Sequence, residues 1–131
     1  MFVRRAGKAV LRLEALSLNW PTAASICHVQ GANLTILDTP DLFQTVSNAI
    51  IEWGYDYDIW MDLSSMGHDD LWVWFSTGQA ITYDMWMEGE PTEPEMNHCG
   101  IMSFDPISVS YGWKALNCGQ ETFALCEIRQ H

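Results

Sequence analysis

The chain has 131 residues, 48% of them hydrophobic and 18% charged, enough for one domain with a real core and too few for two comfortable ones. Six Lys and Arg stand against 17 Asp and Glu, a formal net charge of −11, which disfavours nucleic acid and anionic membrane surfaces and favours metal cations or basic partners. Seven Trp, four Tyr and five Phe exclude a disordered chain, and no apolar run approaches the roughly eighteen residues of a membrane span.

In chain order, KAVLRLEAL at residues 8–16 alternates loosely and predicts a first strand. NWPTAASICHVQG predicts a short helix: Asn19 caps it, Pro21 sits in its opening turn, Trp20, Ala23, Ala24 and Cys27 recur at helical spacing, and Gly31 ends it. ANLTILDTP reads as a brief buried stretch leading to Thr39, the cap of a second helix from about residue 40 to residue 53. The apolar stripe of that helix is Leu42, Phe43, Val46, Ala49, Ile50 and Trp53, with Gly54 as its stop.

From residue 55 the pattern changes to short aromatic-rich runs that predict strands: YDIWMDL, LWVWF, AITYDMW, CGIMSF, YGWKAL and FALCEI. Strand, two helices and several strands make an α+β arrangement in a single domain, residues 1–131. Residues 84–97, DMWMEGEPTEPEMN, form a long acidic loop in which Pro91 and Pro94 exclude regular structure. Trp72 and Trp74 fall on one face of a strand by alternation. Core packing, rather than a sugar-stacking platform, is the expected role for most of Trp60, Trp72, Trp74, Trp86 and Trp113.

The four cysteines, Cys27, Cys99, Cys118 and Cys126, are widely spaced with no C-x-x-C pair, which suggests two disulfides and an oxidising, extracellular compartment. Spacing alone leaves three connectivities open. The opening MFVRRAGKAVLRL has basic residues but no apolar core with a small-residue cleavage site, so a secreted form requires a leader already removed. His28, His68, His98 and His131 show no H-E-x-x-H spacing, and there is no G-x-S-x-G elbow or Gly-rich phosphate loop. The expected protein is not an enzyme.

Several motifs occur in a fixed order: W-x-x-A-x-x-x-C from Trp20 to Cys27, GANL, WMDL at 60–63, WVW at 72–74, WMEGEP at 86–91, WKALNC at 113–118 and FALCE at 123–127. This run resembles the C-type lectin-like domain from about residue 8 to residue 128. The resemblance implies a short-form C-type lectin fold with two helices, two small antiparallel sheets and a long loop region. It also implies the disulfides, Cys27 with Cys126 and Cys99 with Cys118. Asp62 departs from the pattern, standing where the family has a small residue in W-I-G-L.

In family members that bind sugar through calcium, the resemblance assigns ligands to a Glu-Pro-Asn or Gln-Pro-Asp triplet, a Glu two residues before the loop cysteine, and an Asn-Asp pair after the Trp. Here Glu90 and Pro91 are kept, Thr92 replaces Asn or Asp, Asn97 replaces Glu, and Lys114 and Ala115 replace the Asn-Asp pair. Calcium takes six to eight oxygen ligands, so a set reduced to Glu90 and Asn97, with a lysine added, predicts loss of the standard metal site. Calcium is left with a displaced site on Glu88, Glu93 or Glu95, or an accessory site near SSMGHDD using Asp69, where Ser65 stands in place of an expected Asp. The Lys114 ammonium is expected to lie near Glu90 and Glu95 in place of the metal.

By resemblance the function is carbohydrate recognition by a secreted, extracellular lectin of innate-immune or glycan-surveillance character. The expected contacts are Glu90, Thr92, Glu95, Asn97, Trp113 and Lys114, and the partner is a glycan or glycoconjugate. The competing reading is a calcium-independent C-type lectin-like module that binds a protein ligand or serves as one subunit of a dimer.

Overall fold

The computed structural model describes residues 2–6, 9–67 and 71–129. The two helices form where their caps predict. Asn19 accepts a hydrogen bond from the Thr22 N–H at 3.0 Å and starts α1, Trp20–Val29; Thr39 accepts from the Leu42 N–H at 3.1 Å and starts α2, Pro40–Glu52. Each satisfies a backbone donor that a helix start leaves orphaned. Gly31 at φ 74° and Gly54 at φ 88° turn the chain away after them, in a conformation that costs other residues a Cβ clash. The predicted stripe of α2 buries Phe43, Val46 and Ile50.

The strands are β1 (Phe2–Ala6), β2 (Ala9–Leu18), β3 (Asn33–Leu34), β4 (Ile59–Ser64), β5 (Val73–Trp74), β6 (Gln79–Ala80), β7 (Cys99–Asp105), β8 (Ser110–Leu116) and β9 (Thr122–Arg129). The expected first strand is therefore the second. FVRRA pairs ahead of it as β1, with Ala6 opposite Ala9, a short run without alternation that lies before the first recognisable motif. AITYDMW does not form the expected strand. Beyond β6 its side chains hold it instead: the Tyr83 hydroxyl donates to the Leu37 carbonyl, and Asp84 accepts from the Trp86 N–H.

The strands form one connected network with two antiparallel parts. One joins β1, β2, β9 and β3; the other joins β4 to the β7–β8 hairpin and to β5–β6. They meet where β4 runs parallel to β9, with Trp60 opposite Ala124. The two expected sheets are thus present and share this seam. Cys27 bonds Cys126, fixing α1 to β9, and Cys99 bonds Cys118, closing the base of the β7–β8 hairpin, as the resemblance implied.

Trp60, Trp72, Trp74 and Trp113 are all buried, so four of the five questioned tryptophans pack in the core. The Trp113 ring is met edge-on by Phe43, Trp74 and Trp86, an arrangement aromatic quadrupoles favour. The Trp20 indole donates to the Met61 carbonyl and the Trp60 indole to the Leu18 carbonyl, so both large rings are buried without losing their hydrogen bonds.

Candidate functional site

The acidic loop is strapped to β8 by its own backbone. The Trp113 N–H donates to the Met85 carbonyl at 2.8 Å, the Met87 N–H donates to the Trp113 carbonyl at 3.0 Å, and Trp86 pairs with Trp113 as an isolated bridge. Gly112 makes this approach fit: a Cβ there would lie 2.7 Å from the Met87 side chain. Gly89, at φ 83°, then reverses the chain so that Glu90 N–H donates to the Met87 carbonyl, and the Glu90–Pro91 peptide is cis.

The turn aims the Glu90 carboxylate at β8. Its Oε1 accepts from the Ala115 N–H at 3.0 Å, the Thr92 N–H at 3.1 Å and the Thr92 hydroxyl at 3.3 Å. Oε2 has only a 3.4 Å contact with the same hydroxyl. Asn97 Nδ2 donates to the Thr92 carbonyl at 3.2 Å, and the Asn97 N–H donates to the Glu93 carbonyl. His98 anchors the far end of the loop, its ring nitrogens meeting Ser65 Oγ at 3.1 Å and the Glu95 carbonyl at 3.2 Å.

Glu90, Thr92 and Asn97 are therefore brought together, while the other expected contacts are not. Trp113 lies fully buried beneath them, as scaffold rather than surface. Glu95 is exposed, and only its backbone carbonyl meets His98. Lys114 is exposed and, among the described residues, forms no ion pair with any loop carboxylate. The reason is alternation: Lys114 points away from the buried face of β8 that carries Trp113 and Ala115, and the backbone N–H of Ala115 supplies the positive end that a lysine was expected to supply.

The donors do not fit calcium. Glu90 Oε1 already accepts three hydrogen bonds, Asn97 offers one neutral oxygen, Ala115 has no side-chain oxygen, and a hard cation needs six to eight. Among the described residues no group of three or more His, Cys, Asp or Glu side chains could hold a metal ion. At the accessory position, Ser65 is engaged with His98, and Asp69 lies outside the described residues.

Hydrogen bonding to His98 and the Ala115 N–H was not foreseen. In the sequence His98 is one of four histidines without motif spacing, and a backbone donor leaves no mark on a sequence.

A disulfide-tied α+β domain, with a long loop strapped to its central hairpin, has the architecture of the C-type lectin-like class. The family model "Lectin C-type domain" matches residues 16–128, and the chain belongs to that family. Salivary C-type lectin 1 of Aedes albopictus is 28% identical over 115 residues, spanning 83% of this chain and 75% of its own. The mouse scavenger receptor C-type lectin carbohydrate-recognition domain superposes with a TM-score of 0.83 at 15% identity, covering 98% of this chain and 94% of that one. The C-type lectin domain of murine dendritic cell inhibitory receptor 2, solved in complex with N-glycan, superposes at 0.80 with 16% identity, covering 98% and 96%. At these identities the structural likeness concerns the fold alone.

Proposed function

We propose that the protein is a non-catalytic, extracellular carbohydrate-recognition domain serving glycan surveillance, which holds its sugar on the loop of residues 86–97 and the strand at 113–117 without calcium in the family's usual place. The observation that carries this reading is the fixed Glu90 carboxylate, with Oε1 locked to β8 and Oε2 left to accept from a sugar hydroxyl. Thr92 and Asn97 beside it supply further neutral hydrogen-bonding groups. Two disulfides and a salivary relative support an extracellular setting. Among the described residues no helix is long and apolar enough to cross a membrane.

The test is a glycan array probed in calcium and in a chelator, with the parent and with Glu90→Gln. Binding to a subset of glycans should survive the chelator. It should fall about tenfold or more in the variant, the scale of one charge-assisted hydrogen bond. An array blank under both conditions would remove the reading. Met85 and Met96, 37% and 57% exposed on this loop, favour a second one: a protein ligand, or a second copy, gripped by the same surface. A lone monomer on size exclusion that captures no partner would remove that.

A further inference from the structure

A cleft lies away from the loop, between α1 and the corner that follows β5. Its volume is about 370 Å³, within the range of small-molecule sites. Val29, 81% exposed, and Phe75, 54% exposed, are among its lining residues, and Leu34 backs it. Phe75 is held in place by the edge of Trp20, with ring centroids 5.2 Å apart at 87°.

This apolar cleft also contains a carboxylate. Asp62, 1% exposed, accepts from the Ser76 N–H at 2.8 Å through Oδ2 and from the Ser76 hydroxyl at 2.9 Å through Oδ1. Among the described residues it has no Lys or Arg partner, and a buried charge without a counterion is costly. Ser76 is itself exposed in the cleft. While its proton goes to Asp62, its oxygen lone pairs stay free to accept, so Ser76 relays the buried charge to the cleft surface.

We infer that this cleft binds a compact primary amine with an apolar body, its ammonium donating to Ser76 Oγ over the Asp62 carboxylate and its body lying between Val29 and Phe75. Asn33, also in the lining, offers a second acceptor. The net charge of −11 draws a cation toward the surface. A single carboxylate does not make a metal site, because a divalent cation would need several more oxygens than this cleft converges. No residue of the acidic loop lines the cleft, so amine and glycan would bind independently.

Burial pushes the Asp62 carboxyl up to about 7, the Ser76 hydrogen bonds opposing and the charge of Glu127 on β9 adding to the rise; His28 on α1 is the other titratable group lining the cleft. The amine should therefore be offered at pH 8. The experiment is a titration of the oxidised protein with phenethylamine, followed by amide NMR shifts, against 2-phenylethanol as its uncharged counterpart. Saturable shifts at residues of α1 and at Phe75 and Ser76 are expected with the amine, with at least fivefold weaker binding of the alcohol. Asp62→Asn, which removes the charge and keeps one acceptor for Ser76, and Val29→Arg, at an exposed position that leaves the core untouched, should each weaken the amine at least fivefold. Unmoved cleft resonances, an alcohol that falls short of that margin, or a smaller loss in Asp62→Asn would overturn the inference.

Discussion

Replacing Cys27 and Cys126 together by serine is expected to lower the thermal midpoint by roughly 15–20 °C. The bridge spans a sequence separation of 99 residues, and closing a loop of that size stabilises a fold by about 4 to 5 kcal/mol in the chain-entropy model. Both sulfurs lie in a buried cluster with Trp20, Trp60 and Ala124, so the substitution also leaves two hydroxyls in apolar surroundings. The Cys99–Cys118 bridge, with a separation of 19, is worth about 3 kcal/mol by the same reasoning. Its loss should be felt at the base of the acidic loop more than in the global fold. Differential scanning calorimetry of the two double variants separates these effects, and a drop below about 5 °C for Cys27 and Cys126 would contradict the first.

The second large effect is a dependence of stability on pH carried by one residue. Asp62 titrates at about 7 in the folded protein against an ordinary value of 3.8, because burial disfavours its charged form more than the Ser76 hydrogen bonds favour it. A carboxyl whose folded pKa is raised stabilises the fold fully below its unfolded pKa, and that contribution is lost as pH rises toward 7. The parent should therefore lose about 4 kcal/mol through this group between pH 4 and pH 8. Asp62→Asn keeps one acceptor for Ser76 and carries no charge. It should be slightly less stable than the parent at pH 4, more stable at pH 8, and lack the parent's downward slope between them. Urea denaturation across this range measures it, and parallel pH profiles for the two proteins would show that Asp62 is not buried as charge.

The helices were legible because their signals are local: Asn19 and Thr39 cap within three residues, and the stripe of α2 repeats at the helical period. Most strands were legible from aromatic runs bounded by turns. AITYDMW misleads because its apolar residues pack on the core individually, through Ile81, Tyr83 and Trp86, with strand pairing confined to Ala80 in β6 and the bridge at Trp86. β1 was missed because a five-residue run gains its strand character only from pairing with β2.

In the site, the residue types were legible and their aim was not. Glu90, Thr92 and Asn97 do converge, but Lys114 follows the alternation of β8 outward, and Glu90 finds a backbone N–H that no side-chain code announces. Asp62 was visible only as a departure from a family pattern. Its consequence depends on Ser76, 14 residues later, turning back beneath it.

On the proposed reading, this loop holds the Glu90 carboxylate ready for a ligand without a metal. Calorimetric titration of the oxidised parent with calcium, beside a variant carrying Lys114→Asn and Ala115→Asp, tests it most directly. No saturable binding below about 1 mM is predicted for the parent, and a measurable gain for the variant, since extracellular calcium modules bind near 0.1 to 1 mM once their oxygens are assembled. Micromolar calcium binding by the parent, abolished by Glu90→Gln, would contradict it.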